Sequence, residues 1–244
     1  MLYSRYLLKE RKSLLQAYAR PATLVDVVVP GSGILRDVAL VIGFAGLVAV
    51  FAQIAIHLPF TTVPLTGQTL AVLLTGGALG ARRGAASLGL YALVGTLGLG
   101  VFAPSASAFE GELIHFIFPW KGGGEPLWLL TSGGYIAGFI AAAYVVGVLA
   151  ERGWDRGWRI TVAMLAGSAM LYAPGLLWLG YLIGSGALDE RLGFVLAEVI
   201  PGDSTLDKTL VGGLYPFVAG DLIKLYVAAI ALPGAWALVG RRRS

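Results

Sequence analysis

Long apolar stretches alternate along this chain with clusters of charge whose sign also alternates, and that pattern leaves few folds open. Six apolar stretches can be marked, at 37–56, 68–80, 85–102, 127–150, 160–184 and 217–239. A complete helical crossing of a bilayer takes about 20 residues. The second stretch is too short to cross alone, unless the preceding "PFTTVPLTG" lies inside the protein, where non-helical backbone is tolerated. Basic residues test the count, because they accumulate in cytoplasmic segments. With the N-terminus inside, the inner segments hold Arg5, Lys9, Arg11, Lys12, Arg20 and Arg36, then Arg82 and Arg83, then Arg152, Arg156 and Arg159, then Arg241–Arg243. The outer segments hold only Lys121, Arg191 and Lys208, whereas acids such as Glu110, Glu112, Glu125, Asp189 and Asp203 crowd there. The pattern predicts an all-α integral membrane protein, a bundle of six transmembrane helices with both termini cytoplasmic.

Composition agrees. Charged residues make up 13% of the chain and hydrophobic ones 57%, against about 25% charged in a soluble domain. A soluble surface would still need its charges; a bilayer removes that need. Three segments are expected: a basic cytoplasmic extension over 1–35, a six-helix domain over 36–240 and a basic tail over 241–244. The extension reads equally as an amphipathic helix lying on the membrane or as a basic tail, and it lacks the long apolar core of a signal peptide. The net charge of +4 sits at membrane flanks, so no nucleic-acid partner is expected. With no cysteine and only His57 and His115, at predicted span ends or in loops, neither a thiolate site nor a multi-histidine metal site is expected. No cofactor is expected. There is no G-x-x-x-x-G-K-[ST], no H-E-x-x-H and no G-x-S-x-G, and no clear inverted repeat of broken helices.

The sixth stretch poses the functional question. "YPFVAGDLIKLYVAAIALP" carries Asp221 and Lys224 in an otherwise apolar helix. At 1.5 Å per residue they lie about 7 and 12 Å below the helix start, in the outer half of the membrane. Residues three apart share a helix face, so both can point into one cavity. Buried charges are costly unless paired. The pair therefore either pins the helix or lines a site where the acid accepts from N–H groups and the lysine meets a carboxylate. On other spans, Gly133 and Gly134 allow close helix packing or close approach of a ligand to backbone. Tyr91 and Tyr135 lie too deep to be interfacial anchors and are candidate cavity walls, whereas Tyr172, Trp178 and Tyr181 fit interfacial anchoring. Gln68 opens the short second helix, where its amide either meets a ligand or caps backbone. Ala45 and Ala49 form a smooth ridge suited to packing internally or against another membrane protein.

Several motifs then carry a resemblance. "PFTTVPLTGQTLAVLLTGGALGARRGAASLGLYALVGTLGLGVFAP", "TSGGYIAGF", "YAPGLLWL" and "FVAGDLIKLYVA" occur in the order found in the BioY family, the biotin-binding S components of energy-coupling-factor (ECF) transporters, and the match spans about 36–239. The resemblance implies capture of biotin from outside a prokaryotic cell membrane. It implies two kinds of partner, a transmembrane coupling protein and two cytoplasmic ATPases, which fits the missing P-loop. It also implies that Asp221 serves the ureido group or orders its partners and that Lys224 meets the valerate carboxylate. Gln68, Tyr91, Gly133, Gly134, Tyr135 and Trp178 would wall the pocket, and Ala45 and Ala49 would dock on the coupling protein. The chain departs from the family pattern at Ser132, at Ala219 and in two enlarged outer loops. The rivals are the same fold with another vitamin, an intramembrane lipid-acting enzyme with Asp221 as base, and a purely structural subunit.

Overall fold

The computed structural model describes residues 23–105 and 112–241. Most of the 1–35 extension and nearly all of the 241–244 tail lie outside the described residues. A short helix α1 (Leu24–Val28) opens the described chain, capped by Thr23, whose hydroxyl accepts from Asp26 N. Next come α2 (Ile34–Ala52), the strands β1 (Ile54–Ile56) and β2 (Leu65–Thr66), α3 (Gln68–Leu79) and α4 (Ala81–Thr96). Strand β3 (Ile114–Phe116) precedes α5 (Gly133–Leu149) and α6 (Arg159–Ser185). Two single-turn helices follow, α7 (Asp189–Leu192) and α8 (Leu196–Val199), then α9 (Thr205–Gly213) and α10 (Tyr215–Arg241).

Among the described residues, four helical stretches are long and apolar enough to cross a membrane: Ile34–Ala52, Gly133–Trp154, Arg159–Ser185 and Thr205–Val239. The last includes a break at Leu214, between α9 and α10. Helix α3 is a shorter apolar helix of 12 residues. The bent segment before it turns inward: Thr61 and Val63 are buried, and the Thr61 hydroxyl donates to Gly212 O at 2.6 Å. A single residue, Gly80, separates α3 from α4 at φ +81°. This conformation suits glycine. A Cβ there would come within 2.4 Å of Glu151 Oε1. That carboxylate accepts from Ala81 N at 2.9 Å, capping α4 from the turn directly after α5.

The expectation of an all-α chain needs one correction. A three-stranded antiparallel sheet of order β2-β1-β3 caps one end of the bundle. After α2 ends at Ala52 the chain cannot resume a helix through "PFTTVP", where prolines remove donors and fix φ. The freed backbone groups pair across strands instead.

Glycine and alanine let the helices approach closely. A Cβ on Gly76 would sit 2.6 Å from Ala143 O of α5, and one on Gly138 would sit 2.7 Å from Leu171 O of α6. The larger buried cluster draws on α2, α3, α4, α5 and α6; the smaller joins Leu24 and Val25 of α1 to Leu79, Val146, Met164 and Leu232. Ala45 and Ala49 belong to the larger cluster, with Leu88 and Ala92 of α4, and are 7% and 6% exposed. The expected docking ridge is therefore turned into this protein's own core. Ala39, Gly43 and Gly46 are the small residues on the exposed side of α2.

Candidate functional site

One cavity of about 620 Å³ opens at the sheet-bearing end, between the segment at 62–69, α5, α6, α10 and the loops beside them. That volume suits a small molecule. Asp221 and Lys224 both line it. Lys224 Nζ lies 2.7 Å from Asp221 Oδ1. The same oxygen accepts from the Thr69 hydroxyl of α3 at 2.9 Å, and Oδ2 accepts from the Tyr172 hydroxyl of α6 at 2.5 Å. Three helices thus converge on one carboxylate. A carboxylate has about four acceptor positions and an ammonium three donors. One acceptor on Asp221 and two donors on Lys224 are left over by these contacts, and both groups face the cavity.

Gln68 and Tyr135 also reach the cavity wall. Gln68 Nε2 donates to Tyr91 OH at 2.6 Å, and its Oε1 accepts from Thr66 at 2.9 Å. The Tyr135 hydroxyl donates to Gly213 O at 2.8 Å. Its ring meets Tyr172 edge-on and stacks on Phe217, so three aromatic rings build one wall.

The other sequence-chosen residues stand behind this wall. Tyr91, 1% exposed, backs Gln68 and packs edge-on against Phe102, which does line the cavity. Trp178 Nε1 donates to Leu130 O at 2.8 Å, holding that lining residue in place. Gly133 and Gly134 make room for neighbours. A Cβ on Gly133 would lie 2.0 Å from Leu127 O, and one on Gly134 would lie 2.4 Å from Trp178 Cβ.

Sequence reasoning gave Thr69 no role and set Tyr172 aside as an anchor. Tyr172 lies in the middle of the 27-residue α6. The depth argument that picked out Tyr91 and Tyr135 applies to it equally. Sequence reasoning also missed the mouth, where Arg191 of α7 forms an ion pair with Glu125 of the loop before α5. Both line the cavity, and no local pattern links residues so far apart in the chain. Among the described residues, no three His, Cys, Asp or Glu side chains gather to hold a metal.

A helical bundle with apolar, membrane-length helices around a ligand-sized cavity, bearing an acid–base pair with spare hydrogen-bonding capacity, defines a membrane protein that binds a small molecule. Residues 20–241 match the BioY family, and the chain belongs to that family. It is 32% identical over 187 residues to the biotin transporter BioY of Thermotoga maritima, covering 77% of this chain and 88% of that protein. It is also 32% identical over 204 residues to the biotin transporter BioY of Rhizobium etli, covering 80% and 90%. The fold is similar to the crystal structure of the S-component for biotin from an ECF-type ABC transporter. The TM-score is 0.57 at 19% identity, covering 82% of this chain and 89% of that one.

Proposed function

We propose that the chain is the substrate-capture subunit of an ECF-type importer, that it binds biotin, and that it is not an enzyme. The observation that carries this reading is the Asp221–Lys224 pair, held by Thr69 and Tyr172 at the wall of a cavity of about 620 Å³. Membership of the BioY family and the names of the curated relatives support it. Biotin offers ureido N–H donors, an apolar bicycle and chain, and a carboxylate. Asp221 has an acceptor left for an N–H, Lys224 has two donors left for the carboxylate, and Tyr135, Tyr172 and Phe217 offer an apolar wall between. Gln68 adds a polar contact. Tyr91, Trp178, Gly133 and Gly134 support the wall from behind.

Six crossings with both termini in the cytoplasm would place the sheet-bearing end and the cavity mouth outside the cell, in the plasma membrane of a prokaryote. The alternation of basic and acidic loops supports this orientation. A coupling protein and two cytoplasmic ATPases would supply the energy, in keeping with the missing P-loop. The test is equilibrium binding of labelled biotin to the purified protein in detergent, chased with unlabelled biotin and with other vitamins. Saturable binding displaced by biotin alone is expected. A folded protein that fails to bind biotin, or prefers another vitamin, overturns the assignment.

A further inference from the structure

The three-stranded sheet has one wholly apolar face, and that face is covered only toward β2. Residue pairing across the strands puts Ala55, Thr66 and His115 on one side. Ala55 and His115 are buried there. On the other side lie Ile54, Ile56, Leu65, Ile114 and Phe116, without one polar residue. A half-buried antiparallel sheet in water normally alternates apolar and polar faces. Leu65 and Ile54 are half-buried, Leu65 against the main core, but Ile56 is 39% exposed, Ile114 61% and Phe116 67%.

The loop after β3 extends the patch with Phe118, 78% exposed, and Trp120. Between Glu112 and Lys121 there is no acid, lysine or arginine. The Trp120 Nε1 donates to Gly100 O at 2.6 Å, so its polar edge is satisfied while the ring stays on the surface. The loop is also firmly held. Gln53, fully buried, accepts from Ile117 N through its backbone oxygen at 3.3 Å and from Lys121 N through Oε1 at 3.2 Å. Gln53 is the residue directly after α2, so the patch is bolted to the end of a membrane-length helix. Exposed apolar residues on that helix, Ile42 and Val50 among them, lead up to it, and Leu97 adjoins the end of α4 in the same way.

We propose that this outer sheet face, with Phe118 and Trp120, is seated in the lipid of the membrane leaflet at the cavity end. Continuity with the apolar helix surface and the lack of charge argue for lipid rather than a polar partner. Exposed strand edges are not tolerated in the hydrocarbon core. The seat is therefore the boundary of headgroups and acyl chains, where aromatic rings with a polar edge are favoured. The loop that borders the cavity mouth would then be fixed at one depth by the membrane itself.

The chain has no native cysteine, so single nitroxide labels can be placed at Phe118→Cys and, as an independent site, Ile114→Cys. Ile42→Cys on the helix surface and Asp203→Cys on an exposed loop serve as lipid and water references. The full chain is reconstituted at low density in phosphatidylcholine vesicles, and label accessibility to oxygen and to a water-soluble nickel chelate is measured. Accessibility at 118 and 114 is expected to shift toward oxygen relative to Asp203, short of the value at Ile42, which lies mid-span. Nickel accessibility equal to that at Asp203 places the face in water and overturns the proposal. Low accessibility to both reagents means that a second copy covers the face, and overturns it equally.

Discussion

Two clusters of charge sit at opposite ends of this bundle, and they differ in what they leave unused. At the closed end, Asp26 accepts from Thr23 N, from the Thr23 hydroxyl, from Arg36 and twice from Arg83. Every acceptor position of that carboxylate is filled. Its donors come from α2, α4 and the residue that caps α1, so the cluster ties together segments distant in sequence. At the open end, Asp221 and Lys224 stand one turn apart on a single helix, and each keeps hydrogen-bonding capacity directed at a cavity. Charge saturated by the protein itself holds structure; charge left partly unsatisfied beside a cavity is available to a ligand.

The largest effect that would break this distinction is at Lys224. Lys224→Ala is expected to weaken biotin binding about a hundredfold, within the range for removing one partner of a desolvated charge pair. The thermal midpoint of the detergent-solubilised protein should fall far less than that loss of affinity implies, because Thr69 and Tyr172 still donate to Asp221. Equal losses of binding and stability would make the pair structural instead. Gly134→Ala should behave in the opposite sense. The added Cβ collides with Trp178 Cβ and with Pro174 O at 2.5 Å, which neither a backbone carbonyl nor a packed ring stem can yield cheaply. A destabilisation of about 1–3 kcal/mol is expected, read as a lowered melting temperature. The affinity of the fraction that stays folded should be close to wild type.

These contrasts also mark what the sequence allowed one to read. Apolar stretches located the longer helices, because membrane helices must satisfy their backbone internally and leave a long uninterrupted signal. The short α3 and its buried, bent approach were foreseeable from length and proline content. The sheet was not, since strands of two or three residues are too short for period-two alternation to register. Ala45 and Ala49 fit an internal and an external contact equally well, and only the positions of neighbouring helices turn them inward. Gly133 and Gly134 were ambiguous for the same reason. Asp221 and Lys224 stood out because charge inside a span is rare. Their partners Thr69 and Tyr172 did not, because hydroxyls inside spans are ordinary.

The saturated cluster also gives a pH signature. Burial alone would raise the Asp26 carboxyl, but hydrogen bonds from Arg83, Thr23 and Arg36 outweigh it and hold the group well below its ordinary value of 3.8. A carboxyl depressed in the folded state stabilises fully above its unfolded value, and that stability is lost as pH falls toward the folded one. Asp26→Asn should therefore cost about 1 kcal/mol, modest because the cluster is partly exposed. The gap in melting temperature between wild type and mutant should stay constant from neutral pH down to about 5 and narrow only below the ordinary carboxylate range. A gap that closes between pH 7 and 5 would mean that Asp26 is not held by this network. Biotin affinity should not respond to the substitution.

The smallest effect belongs to the mouth, where the two kinds of charge use meet. Arg191 and Glu125 pair with each other, as at the closed end, yet both line the cavity, as at the open end. Their side chains are 48% and 33% exposed, so the pair contributes little to stability. Its effect should appear in rates instead, because charges at a rim act mainly on the approach of a charged partner. Glu125→Gln leaves Arg191 uncompensated and should speed capture of anionic biotin about twofold at low salt. That gain should vanish at high ionic strength, where exposed charges are screened, and should be absent for a neutral biotin ester. Arg191→Gln should slow capture under the same conditions. An ester that responds as the acid does would mean that Glu125 acts on the opening of the loops and not on the field at the entrance.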